Sequence, residues 1–142
     1  MTKEVLISVK GLQFEIDEDE AVEVISVGEY YYRNGKHYIM YEELLPNEDG
    51  RNELTKNTIK ISDQQIDIIK KGVSNVHMIF ELNKKNMTFY NTPFGDLLIG
   101  LNTTYINVNS SGDNLDVKLE YALDVNYSHV SDCEIKINVK SK

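Results

Sequence analysis

The sequence predicts an all-β domain, a single antiparallel meander of about 8–10 strands curling into a barrel. Three observations carry that expectation. Apolar residues recur with a period of two, turn-forming residues interrupt them at short intervals, and one alternating run is too long for a flat sheet. At 142 residues the chain has the length of one domain, so residues 1–142 are read as one unit with one core.

Val5, Ile7 and Val9 alternate with Leu6, Ser8 and Lys10, the pattern of a half-buried strand. The acidic run EIDEDE that follows, Glu15 to Glu20, gathers carboxylates as a calcium loop does. It lacks the glycine and distal glutamate of an EF-hand and is read as a solvated connection. Between Ala21 and Val27 the alternation slips, because Val22 and Val24 share one face while Ile25 and Val27 share the other; a β-bulge would account for this. In YYYRNGKHYIMYEE, Asn34-Gly35 stands between two aromatic-rich runs, the preferred dipeptide of a type I′ hairpin in which both turn residues need positive φ.

Further turns are expected at Pro46–Gly50, Glu81–Asn86 and Asn109–Asn114. The segment SDQQIDIIKKG admits two readings. Ser62, Gln65 and Gly72 suit the cap, capping-box and stop positions of a helix, whereas alternating Ile66 and Ile68 suit a strand, which is preferred. In FYNTPFGDLLIG, Thr92 to Gly95 fits a type I turn with Pro93 presetting φ, after which a strand resumes. LDVKLEYALDVNY sends Leu115, Val117, Leu119, Tyr121, Leu123, Val125 and Tyr127 one way and its polar residues the other. Such a run would extend for about 40 Å at ~3.3 Å per residue, so it must bend, coil or meet a bulge, as barrel strands do. Ile135, Ile137 and Val139 form the last strand.

Composition excludes several function classes. The net charge is -8 and no stretch concentrates basic residues, which argues against nucleic-acid binding. No apolar run approaches the ~18 residues of a membrane helix, and the start MTKEVLISVKG has no apolar signal region, so a cytoplasmic location is expected. Cys133 is the only cysteine, which rules out an internal disulfide and a multi-cysteine zinc site.

The tyrosine-rich hairpin, the segment IIKKG, Phe80 in VHMIFEL, YNTPFG, Thr103 and LEYAL occur in an order and spacing that resemble the YwiB-like family of uncharacterised bacterial proteins. The resemblance covers nearly the whole chain. It implies a calycin-like, lipocalin-like β-barrel and a strand over residues 66–71, and it implies no reaction. One departure is that the family usually carries arginine where this sequence has Lys70. A lysine keeps the charge without the bidentate fork.

Candidate chemistry is sparse. His129 and Cys133 could act as base and nucleophile only if HVSDC folds back, and a free, partly buried thiol is the preferred reading. His37, His77 and His129 have no metal-ligand spacing, and no P-loop, GxGxxG or GxSxG occurs, so neither metal, cofactor nor enzyme activity is expected. Tyr30, Tyr31, Tyr32, Tyr38 and Tyr41 must divide between the two faces of their hairpin. Core packing and cross-strand pairing account for most of them; the alternative is a cavity whose phenols orient a ligand, with Glu43 and Lys70 as an inward charged pair.

The residues expected to line such a cavity are Tyr32, Tyr41, Glu43, Lys70, Tyr90 and Phe94, joined, from the resemblance, by Phe80, Thr103 and Tyr121. The leading functional expectation is non-enzymatic binding of a small, mostly apolar ligand inside the barrel. The alternative is a solid barrel that meets a protein partner or a second copy through outward tyrosines such as Tyr31 or Tyr38.

Overall fold

The computed structural model describes residues 1, 3–11, 23–73, 75–92 and 95–142. Every regular element among them is a strand: β1 Glu4–Lys10, β2 Glu23–Arg33, β3 Lys36–Pro46, β4 Asn52–Ile61, β5 Gln65–Lys71, β6 Val76–Glu81, β7 Lys85–Thr92, β8 Gly95–Ser111, β9 Asn114–Val125 and β10 Ser128–Ser141. They form one antiparallel sheet in the order β6-β5-β4-β3-β2-β1-β10-β9-β8-β7. Neighbours in sequence are thus neighbours in space, and β1 pairs with β10, Val5 opposite Ser141 and Val9 opposite Ile137. The barrel is nearly closed. At the remaining seam, β6 and β7 meet through paired backbone bonds between Asn75 and Asn91, both 3.0 Å, rather than through a continuous ladder. Among the described residues no helix is long and apolar enough to cross a membrane.

The turns form as their residues dictate. Asn34 and Gly35 both adopt positive φ, 54° and 76°, which joins β2 to β3 by two residues. The stretch 62–65 is a turn rather than a helix start: the Ser62 backbone N–H and side-chain hydroxyl both donate to the Gln65 carbonyl, each at 3.0 Å. β5 follows, so Ile66 and Ile68 face the core as in the strand reading. Thr92 pairs with Gly95, which makes the β7–β8 connection two residues long. The expected conformation of Pro93 and Phe94, like that of the acidic run Glu15–Glu20, lies outside the described residues.

Two local expectations are corrected. No bulge interrupts β2 over the described part of residues 21–27, because Glu23 to Glu29 pair with β1 residue for residue. The alternation slips because Ile25 and Val27 face outward, 63% and 48% exposed. The inward position goes to Gly28, where a Cβ would lie 2.5 Å from Ile7 Cδ1 and 2.4 Å from the Met40 carbonyl oxygen. Tyr127, in turn, does not continue the inward face of β9. With Asn126 it forms the β9–β10 turn, both residues at positive φ (50° and 69°), and its ring is exposed. The long strand bends through its partners: the registers of β8 and β10 against β9 shift at Thr103/Tyr105 and at His129/Ser131.

Most of the interior is aliphatic. Val5, Ile7 and Val139 from the first and last strands, and Ile39, Ile59, Ile61, Ile66 and Ile68 from β3–β5, are fully buried. Each such side chain contributes about 1.5–3 kcal/mol relative to exposure.

Candidate functional site

The register of β3, β4 and β5 builds the site. Ile39 pairs with Ile59, Tyr41 with Asn57 and Glu43 with Thr55. On the other side of β4, Ile59 pairs with Ile68 and Asn57 with Lys70. Because alternate residues share a face, the inward surface of these three strands changes from isoleucine to polar residues towards the β3–β4 and β5–β6 turns.

Glu43 is the hub of this polar wall. Its Oε1 accepts hydrogen bonds from Lys70 Nζ at 3.0 Å and Asn57 Nδ2 at 2.9 Å. The ion pair is largely buried, with 15% of the Lys70 side chain and 13% of the Glu43 side chain exposed. Beside it Thr55 and Asn57 are buried, and among the described residues Thr55 Oγ1 and Asn57 Oδ1 have no hydrogen-bond partner. The Asn57 amide is oriented by its neighbours, since turning it over would set its oxygen against the Glu43 carboxylate. Burial, and then the nearby Glu43 charge, pushes the Tyr41 phenol well above the ordinary phenol range.

A second polar group lies on the wall of β7–β9. Thr103 pairs with Tyr121, and Tyr121 with Cys133. Thr103 Oγ1, Tyr121 OH and Asn86 Nδ2 are buried without an oxygen or nitrogen partner among the described residues. The Tyr121 phenol is also raised, first by burial and then by Cys133 beside it. Its ring meets Phe80 edge-on, centroids 4.9 Å apart. That contact bridges β6 and β9 through the interior.

The expected site residues therefore separate. Tyr41, Glu43 and Lys70 come together on one wall; Thr103, Tyr121 and Phe80 meet on another; Tyr90 is half-buried and packs against the core. Tyr32 is apart from both, 61% exposed beside the Asn34-Gly35 turn, with its ring centroid 5.0 Å from that of His37. Phe94 lies outside the described residues. Thr55, Asn57 and Asn86 were not among the expected residues. Thr55 and Asn57 share the parity of Ile59 and Ile61, a signal sufficient to place them inside.

His129 and Cys133, weighed as base and nucleophile, make separate contacts among the described residues. His129 lies 3.7 Å from Asp124 and 3.8 Å from Asp132 on the outside, while Cys133 packs against the core with its sulfur 3.2 Å from Ser131 Oγ. The hydrogen bond from Lys85 is the main reason that the Asp124 carboxyl is held below its ordinary range. Burial lowers His37, whose Nδ1 is hydrogen-bonded with the Tyr30 hydroxyl at 2.7 Å. Among the described residues no group of three His, Cys, Asp or Glu side chains is placed to hold a metal ion.

Comparison with known proteins gives two positive findings. The crystal structure of ywiB protein from Bacillus subtilis superposes with a TM-score of 0.78 over 99% of this chain and 92% of that one, at 19% sequence identity, which establishes likeness of fold. No curated protein matches the sequence. The profile of a family described as a domain of unknown function (DUF1934) matches residues 7–137. The chain belongs to this family, a domain of unknown function, and shares the barrel fold of the ywiB protein.

Proposed function

We propose that the protein is a non-enzymatic binding protein of the cytoplasm that holds a small, mostly apolar ligand within its barrel. The observation that carries this reading is two polar groups without a partner among the described residues, Thr55 Oγ1 and Asn57 Oδ1, beside the Glu43–Lys70 pair on an inner wall otherwise made of isoleucines and Tyr41. A buried polar atom without a partner costs about 1–3 kcal/mol, so a wall serving stability alone is better built of aliphatic residues. Phe80, Tyr121 and the isoleucines, buried in the interior, are the apolar surroundings among which the remainder of the ligand would have to pack.

Mass measurement of natively purified protein, under non-denaturing and then denaturing conditions, tests the proposal. A reproducible added mass that disappears on denaturation supports it and yields the ligand. A bare chain in both spectra, from several expression conditions, overturns it.

A second reading draws on the outer surface. Leu6 and Val27 are outward cross-strand neighbours, as are Leu44 and Leu54, and all four are more than two-fifths exposed. Such a surface suits self-association through these strands. Sedimentation that stays monomeric as concentration rises would remove this reading.

A further inference from the structure

We infer that the polar end of the ligand is an uncharged hydrogen-bond donor, a hydroxyl or an amide N–H, received by the β3–β5 wall. The inference deepens the binding reading above and rests on it. Three features select this chemistry. Asn57 commits one N–H of its Nδ2 to Glu43, and its buried Oδ1 is an acceptor without a partner among the described residues. Both donors on Glu43 converge on Oε1, and among the described residues Oε2 receives no hydrogen bond, which leaves a second acceptor. Thr55 Oγ1, buried beside them, gives or accepts according to the ligand.

The charge of the wall argues against an ionic head group. Lys70 and Glu43 neutralise each other at 3.0 Å. A carboxylate reaching Lys70 meets the Glu43 carboxylate and the Asn57 carbonyl oxygen; an ammonium reaching Glu43 meets Lys70. Either would also give up its hydration without gaining an unopposed counter-charge. A neutral donor gives its hydrogen to one of the two acceptors, or in a primary amide to both, and disturbs neither charge.

The test is calorimetric titration of the whole protein with four ligands that share one alkyl chain: dodecanamide, 1-dodecanol, dodecanoate and dodecylammonium, with the hexyl series beside them. The amide and the alcohol are expected to bind about tenfold or more tightly than either ion. Glu43→Gln leaves Lys70 unopposed and should shift preference towards dodecanoate; Lys70→Met leaves Glu43 unopposed and should shift it towards dodecylammonium. Should either single variant fail to fold, the double variant Glu43→Gln/Lys70→Met, which is neutral again, should keep the native preference for the amide. Dodecanoate or dodecylammonium binding the native protein as tightly as the amide overturns this inference and leaves the binding reading standing. No binding by any member of either series overturns both.

Discussion

The inner surface has two kinds of wall. Where β1, β9 and β10 adjoin, every buried inward side chain from Leu115 to Leu119 and from Ile135 to Val139 is aliphatic. Across the barrel, the ends of β3, β4 and β5 turn a buried ion pair, an amide and a hydroxyl to the same interior. Both walls have the same strand geometry, so the difference lies in which groups replaced water. The first follows from the hydrophobic effect alone; the second carries unsatisfied polar atoms that packing does not require.

Raising the pH tests the two polar groups of the interior at once, and its expected effect is the largest, loss of the fold. Tyr41 and Tyr121, one on each polar group, hold their protons above the ordinary phenol value of 10.0. The unfolded chain therefore releases those protons first. Their stabilisation is fully present below pH ~10 and is lost as the pH rises from there towards the folded-state values. Tyrosinate absorbance should show these two phenols, among nine tyrosines, ionising together with unfolding. Independent titration of all nine ahead of unfolding would contradict it.

Phe80→Ala removes the ring that meets Tyr121 and should cost about 3–5 kcal/mol in urea unfolding. Smaller losses are expected at Gly28 and Lys70. Gly28→Ala forces a methyl against Ile7 and a backbone carbonyl and should cost about 1–3 kcal/mol. Lys70→Met strands the Glu43 carboxylate at a similar cost of about 1–3 kcal/mol, most of which Glu43→Gln should restore in the double variant. A double variant no more stable than Lys70→Met would show the two sites to be uncoupled. At the bottom of the scale, Thr55→Val deletes an unpartnered buried hydroxyl and should change stability by less than about 1 kcal/mol, or raise it, while weakening ligand binding. A large loss of stability would mean that the hydroxyl is satisfied in the free protein.

This contrast also decides what was legible in the sequence. Aliphatic walls announce themselves by alternation, which is why β1, β9 and β10 could be read directly, as could the Asn34-Gly35 turn, while β5 competed with a helix reading. The Glu43–Lys70 pair followed from parity and family position. Thr55 and Asn57 were hidden in NELTKNTIKI, where polar residues on the inward face imitate a solvated strand end. Tyr127 misled in the opposite direction, because periodicity cannot distinguish a strand residue from a turn residue of the same parity. The slip before Gly28 misled in a third way, since outward Ile25 and Val27 have the apolar character expected of a core.

The ladder between β1 and β10 has a kinetic consequence. Eight of the nine neighbouring pairs in the sheet order join consecutive strands and can form as local contacts; the ninth is this one, whose partners, such as Val5 and Ser141, come from opposite ends of the described chain. Closing it brings together residues separated by almost the entire sequence, with the loop entropy that entails. Until then β1, already paired with β2 on one side, presents an unpaired edge on the other. On the ribosome, where the first strands emerge well before the last, that edge waits for its partner, and the interval is when the chain is most open to mispairing.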